Sequence, residues 1–327
     1  FREVIFMEPF STTQNESNTI LQGFALQKSG ENVLLATVIK TWGSSPRPAG
    51  AVMVVTESGL IRGSVSGGCI EDELALRVKT AFPKKMEQVE YASDTSRTLP
   101  CGGTLLLALE PLSSIHDPEE LIQRLASGES VTRTLDLVAN ISSWRATISA
   151  DRTELEGQFA HLVYEKPWRL LIIGMGELAQ CVYQQARFLG YSVEVCDPRE
   201  DYRSSWPYPE CDVSDCYPDD FLKQRALDSK TAIVALTHDP KIDDMAIMEA
   251  LVSEAFYVGA LGSIRTTRNR ERRLIEHFDF SESELARLRA PIGVDVNSRR
   301  PQEIALSIMM QITAERNNVI LRSERVL

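Results

Sequence analysis

Residues 169–179 read Arg-Leu-Leu-Ile-Ile-Gly-Met-Gly-Glu-Leu-Ala. An unbroken apolar run of this length marks a strand buried on both faces, and Gly174, Gly176 and Ala179 match the dinucleotide fingerprint in its Gly/Gly/Ala form. Helical spacing continues from Glu177 to Leu189, and Ser192–Cys196 makes the next strand. Asp197 closes that strand where a ribose-binding acid is expected, and Arg199 beyond it is an alternative partner for a phosphate. Strands at Thr231–Leu236 and Phe256–Val258 enclose a helix at Asp243–Glu254. Such alternation specifies a Rossmann-like, doubly wound parallel sheet over residues 167–327, opening after Lys166-Pro167-Trp168. It specifies a fold rather than a ligand, because sheets of this kind change or lose their cofactors.

At 327 residues the chain is longer than a single core usually supports. Its earlier part has a different grammar. Strands at Val33–Ile39, Ala51–Val55 and Leu60–Val65 precede a helix over about Ile70–Phe82, and strands follow near Gln88–Tyr91 and Thr104–Leu109. Asp117, Pro118 and Glu120 stand as N-cap, first-turn proline and capping-box acid of a helix through about Ala126. Val131–Val138 and the polar stretch Ala150–Gln158 complete an α+β domain, residues 1–160, and its crossover. The late helix carries Ile304, Leu306, Ile308, Met309 and Ile312, and its methionine pair reads as core.

Two cysteines share a local pattern. Gly67-Gly68-Cys69 lies between a short strand and a helix, and Pro100-Cys101-Gly102-Gly103 precedes a strand. Glycines allow positive φ and close approach, so such turns aim amides at an anion, and a helix N-terminus favours a thiolate. Glu71, Asp72 and Glu73 in the first helical turn act against that thiolate. Both turns are also compatible with tight packing around small buried cysteines. Ser44, Ser45 and Arg47 lie in a proline-bounded turn whose arginine is able to pair with a phosphate.

The words around these thiols are more specific. Thr41-Trp42-Gly43-Ser44-Ser45-Pro46-Arg47-Pro48-Ala49-Gly50 and Gly63-Ser64-Val65-Ser66-Gly67-Gly68-Cys69-Ile70-Glu71 resemble the xanthine dehydrogenase accessory factor family, XdhC/CoxI. Gly259-Ala260-Leu261-Gly262-Ser263 with its arginine-rich continuation, and Pro291-Ile292-Gly293-Val294-Asp295 leading to Pro301-Gln302-Glu303-Ile304-Ala305, extend the likeness from about Val33 to about Ile312. The resemblance implies a chaperone that holds molybdenum cofactor, assists its sulfuration and delivers it to a xanthine dehydrogenase-type molybdenum hydroxylase. It further implies contact with a cysteine desulfurase, a homodimer, and an accessory role without catalysis of its own. It favours Cys69 as the molybdenum ligand, since a soft thiolate suits a soft metal centre.

Further candidate residues follow strand ends in the second half. Thr237-His238-Asp239 places polar groups at the carboxyl edge of the sheet, where His238 serves as a loop hydrogen-bonder or a ligand contact. Gly262, Ser263 and Arg265 stand at another strand end, with Arg265 and Arg268 spaced to grip one phosphate. Arg270 and Arg273 read instead as a solvated face paired with Glu271 and Glu276. Gly293 and Asp295 are expected to line the same cleft. With four histidines and only His238 in a motif context, a multi-histidine zinc site is not expected.

A net charge of −11 argues against nonspecific nucleic-acid binding. The six cysteines, Cys69, Cys101, Cys181, Cys196, Cys211 and Cys216, form no Cys-x-x-Cys pair and suit reduced thiols in a cytoplasm. No apolar stretch approaches the roughly 20 residues that span a bilayer, and the opening residues lack a signal-peptide pattern. Two other functions remain open: an NAD(P)-dependent oxidoreductase working from the Gly174 fingerprint, and a scaffold whose Rossmann fold is structural.

Overall fold

Apolar runs bounded by polar turns set the strands, and the chain divides into compact units on either side of Lys166 and Pro167. The computed structural model describes residues 16–43, 47–92, 103–148 and 150–320. In the first unit the elements are α1 (Glu16–Lys28), β1 (Val33–Trp42), β2 (Val52–Thr56), β3 (Ile61–Gly63), α2 (Glu71–Thr80), β4 (Glu87–Tyr91), β5 (Thr104–Pro111), α3 (Pro118–Ala126), β6 (Val131–Asp136), β7 (Ile141–Ala146), β8 (Glu154–Glu156) and β9 (Phe159–Tyr164).

A five-stranded antiparallel sheet runs β3-β2-β1-β5-β4. Side chains alternate across its central strand, so Leu34, Ala36 and Val38 pack with Leu74 and Val78 of α2. Val33, Leu35 and Ile39 face the other way, into a core shared with Ile20 and Phe24 of α1. Both faces are covered, which is why these strands read as continuous apolar runs.

The remaining strands form a four-stranded sheet, β7-β6-β9-β8. Strand β8 lies within the polar stretch 150–158, whereas β7 and β9 have no counterpart among the sequence expectations. In β7 most side chains are exposed, so no apolar alternation announces the strand. Helix α1 likewise has no counterpart among the sequence expectations. Asp117 precedes α3, but its backbone is left-handed (φ 50°) and its side chain caps nothing. A side-chain cap needs an extended N-cap residue, and Glu120 instead pairs with Arg124 at 2.9 Å.

Arg133, in the middle of β6, joins the two sheets. It is fully buried, donates to Thr37 Oγ1 at 2.6 Å and pairs with the buried carboxylate of Glu110 on β5. Glu110 accepts a further hydrogen bond from Ser142 Oγ, and the Trp144 ring lies 5.0 Å from the guanidinium.

The second unit comprises β10 (Arg169–Ile173), α4 (Glu177–Phe188), β11 (Ser192–Cys196), α5 (Glu200–Ser204), β12 (Asp212–Ser214), α6 (Pro218–Lys223), β13 (Thr231–Ala235), α7 (Pro240–Leu251), β14 (Tyr257–Ala260), α8 (Ile264–Phe278), α9 (Glu282–Leu285), β15 (Leu288–Arg289) and α10 (Pro301–Arg316). Its sheet is parallel throughout, in the order β12-β11-β10-β13-β14-β15. Apolar residues of α4 and α10 cover one face and those of α6, α7 and α8 the other, giving a doubly wound Rossmann-type fold. Met309 is in this core, whereas Met310 is 42% exposed, because successive helical residues point about 100° apart.

Replacing Glu110 by Ala leaves the Arg133 charge buried without its partner, so the first unit is expected to lose about 3–5 kcal/mol of stability. Urea denaturation of the full chain checks this, with the transition of the second unit unmoved. An apolar replacement of both partners is expected to recover most of the loss.

Candidate functional site

Strand register gathers three chemistry-bearing segments of the first unit at one end of its sheet. Trp42, the last residue of β1, pairs with Thr104, the first of β5, and Leu105 pairs with Tyr91, the last of β4. On the other side Met53 at the start of β2 pairs with Gly63, the last residue of β3. The turn after Trp42 and the segment entering β5 at Gly103 therefore leave from a common edge, while the turn after Gly63 leaves towards the same end from further back, level with Ala36 of β1. A methyl group on Gly43 would stand 3.7 Å from Gly103 Cα, so backbones of two of these segments nearly touch. Ser44, Ser45, Cys101 and Gly102 lie outside the described residues. Arg47 is half-buried and pairs with Glu16 at 3.6 Å, which ties it to the start of α1.

Gly67, Gly68 and Cys69 are exposed between buried Ser66 and Ile70. Both glycines have positive φ, 77° and 106°, which turns successive amides inward as a nest. The expectation that these amides stay open to an external anion is corrected by Glu71. Its Oε1 accepts from Ser64 Oγ (2.6 Å), Val65 N (3.0 Å) and Ser66 N (2.9 Å). Its Oε2 accepts from Ser66 Oγ (2.5 Å), Gly68 N (3.0 Å) and Ile70 N (3.1 Å). Gly67 N and Cys69 N donate to Ser64 Oγ and Ser66 Oγ, so each amide from Val65 to Ile70 is satisfied inside the turn. The motif signal for this role is an acid at the first helical position directly after a glycine nest.

Burial pushes the Glu71 carboxyl up, but hydrogen bonds from the Ser64 and Ser66 hydroxyls and from backbone amides outweigh it and hold it at about 2, against an ordinary 4.5. Among the other thiols, burial raises Cys196 to about 12 and Cys211 to about 11, and moves Cys181 upward. These three are poor thiolate donors at neutral pH. Cys69 is the exposed thiol among the described residues.

In the second unit the crossover point lies between β10 and β13, where ligands of open α/β sheets gather. Gly174 (φ 110°) allows close passage there, since a Cβ would come within 3.0 Å of Thr237 Cγ2 and 3.1 Å of the Leu236 carbonyl carbon. Gly176 is the N-cap of α4, with nothing within 4 Å of where a Cβ would stand, and Ala179 is buried against the sheet. Thr237 is locked to Asp243 through its amide (3.1 Å) and hydroxyl (2.7 Å), and His238 beside it is exposed with φ 62°. Further along the edge, Ser263 caps α8 by accepting from Thr266 N at 3.1 Å after Gly262. Arg265 and Arg268 are exposed and have no protein partner among the described residues, and Asp295 is exposed and accepts from Asn297 N.

Two expectations change here. Asp197 is fully buried, and its oxygens accept from Met175 N (3.0 Å), Arg199 N (3.0 Å), Arg199 Nε (2.9 Å) and an Arg199 terminal nitrogen (2.8 Å). The acid expected as a ribose ligand thus binds its own loops, and Arg199, stacked 3.8 Å from the Tyr202 ring, is consumed with it. Arg270, expected on a solvated face, is 1% exposed. It bonds Asp244 at 2.8 Å and the Leu261 carbonyl at 3.0 Å, and Arg273 also pairs with Asp244. Helix α7 supplies both acids, a partner three-dimensional in origin and invisible to spacing on α8. Burial pushes the carboxyl of neighbouring Asp243 above its usual range. Among the described residues no group of His, Cys, Asp and Glu forms a metal cluster, and no helix is long and apolar enough to cross a membrane.

Because the folded value of Glu71 lies below its ordinary one, its stabilisation is present above about pH 4.5 and lost as pH falls towards 2. Allowing for solvent screening, about 2 kcal/mol is involved. In acid denaturation, the stability gap between the native chain and Glu71→Gln is expected to close across that window.

The XdhC and CoxI family model matches residues 26–92, and the XdhC Rossmann domain model matches residues 170–312. The chain is 28% identical over 308 residues to the molybdenum cofactor insertion chaperone PaoD of Escherichia coli (strain K12), covering 92% of this chain and 89% of PaoD. It is 26% identical over 330 residues to a protein of Bacillus subtilis (strain 168) named as a probable subunit of xanthine dehydrogenase, covering 90% and 96%. A crystal structure titled as a xanthine dehydrogenase from Bacillus halodurans shares the fold, with a TM-score of 0.75 at 23% identity over 95% of this chain and 98% of that one. With both of its halves matched in this way, the chain belongs to the XdhC and CoxI family.

Proposed function

We propose that this chain holds molybdenum cofactor as cargo in the cytoplasm, assists its sulfuration and hands it to a xanthine dehydrogenase-type molybdenum hydroxylase. The observation that carries the reading is the exposed Cys69 thiol, set on a turn whose amides are all engaged. The relative named as a molybdenum cofactor insertion chaperone, similar over 92% of this chain, supports it. In this reading Cys69 is the metal ligand, because a soft thiolate suits molybdenum with sulfur and oxo ligands. Gly67 and Gly68 precede it in the same turn, and Ser44, Arg47, Cys101, Gly102 and Gly103 are the further first-unit residues this reading assigns to the cargo. The carrier makes no covalent change itself. A cysteine desulfurase supplies the sulfido ligand, and the working form is a homodimer.

Anaerobic purification with the cofactor supply intact, followed by molybdenum and pterin analysis, tests the reading. Near-stoichiometric molybdenum and pterin are expected in the native chain and a large loss of both in Cys69→Ala. Full retention in that variant would remove Cys69 from the role, and a folded native chain free of both under cofactor-replete conditions would end the carrier reading.

The second reading, an NAD(P)-dependent oxidoreductase, is favoured by the fingerprint and the open space above Gly176. It is disfavoured by Asp197, whose oxygens are already filled in the interior. Titration with NAD and with NADP is expected to give no saturable binding, and saturation by either would revive this alternative.

A further inference from the structure

Glu71 is 8% exposed, and its two oxygens collect donors from both sides of the Cys69 turn. The amides that flank Cys69, those of Gly68 and Ile70, bond the same oxygen, Oε2. Cys69's own amide donates to Ser66 Oγ at 2.9 Å, and that hydroxyl donates to Oε2. Three consecutive peptide groups around the thiol are therefore referred to one carboxylate, two directly and one through Ser66. A glycine nest without an anion would leave its converging amides unsatisfied, which is unfavourable for each one buried. Here the anion is covalently part of the chain.

We propose that Glu71 is the positioning residue of Cys69. Its carboxylate stands where an external anion would sit, fixes the backbone on both sides of the thiol and holds the side chain outward. The turn consequently meets its cargo through sulfur alone and takes no phosphate into its nest. This rests on the carrier reading for its biological meaning, but the geometry is testable without any cofactor. Glu71→Gln is the sharpest perturbation, since a side-chain amide nitrogen turned towards three donors opposes them, while Glu71→Ala empties the nest.

The experiment uses the full chain free of cofactor, with iodoacetamide as the thiol probe, formate and inorganic phosphate as anion probes, and mass spectrometry of the Cys69 peptide as readout. In Glu71→Ala, alkylation of Cys69, compared at a pH where the thiol is fully ionised so that the lost charge does not count, is expected to fall several-fold as the turn loses its outward form. Added formate is expected to restore it saturably. In the native chain neither formate nor phosphate is expected to change the rate, because the nest is filled. An unchanged rate in folded Glu71→Ala, or a saturable effect of either anion on the native chain, overturns the proposal. Should the variant fail to fold, hydrogen exchange of the native chain decides: strong protection of the Gly68 and Ile70 amides is expected, and exchange at free-loop rates overturns the proposal equally. Since none of these readings involves molybdenum, failure of the carrier reading leaves a separate signature, a folded native chain free of molybdenum and pterin under cofactor-replete conditions.

Discussion

A carboxylate taken out of water must find donors, and this chain uses that requirement to fix the loops where its chemistry gathers. Glu71 holds the Cys69 turn, Asp197 holds the fingerprint loop through Met175 N, and Asp243 holds Thr237 at the end of β13. Asp244 anchors α8 through Arg270 and Arg273, and Glu110 ties the two sheets of the first unit through Arg133. Each interaction joins residues the apolar pattern alone would leave loosely related. Pairing makes these charges tolerable in the interior, and losing one partner costs far more than the pair contributes.

The consequence for ligands is unusual for a fold with so many glycine-rich turns. An intramolecular carboxylate competes with an external phosphate at an effective concentration on the order of millimolar or more. It also loses no translational entropy on docking. The Cys69 nest and the fingerprint acid are thus already satisfied from within. Among the described residues of the Cys69 turn the thiol is what stays open, and in the proposed carrier reading that favours soft-metal ligation over anion capture. An acidic chain does not need to become basic to serve that purpose.

Much of the architecture is legible in the sequence because it follows simple periods. The β10 run, the Gly/Gly/Ala spacing and the helix after it are local features, and they lie where the pattern predicts. The four-stranded sheet is not legible, since the exposed side chains of β7 blur the period-two signal on which strand recognition depends. Arg270 misleads for a different reason: its partners sit on α7, and no spacing within α8 reveals them. By its position in the first helical turn Glu71 opposes the Cys69 thiolate, whereas in the fold its carboxylate is directed into the amide nest. The identities of the residues at the site are visible in sequence, but the direction of a carboxylate is a tertiary fact.

The two units also show why a fingerprint is weaker evidence for a ligand than for a fold. Gly174 is required by close passage over Thr237, and Ala179 by packing against the sheet, whether or not a dinucleotide binds. Both demands come from joining a parallel strand to a helix at a crossover point. Only the acid after β11 would speak for the ribose, and here it bonds Met175 and Arg199 in the interior. A motif built partly from folding constraints persists when its ligand changes. The Cys69 turn divides the two demands: the buried network beneath it serves folding by satisfying the turn's amides, whereas the exposed thiol it carries contributes nothing to packing.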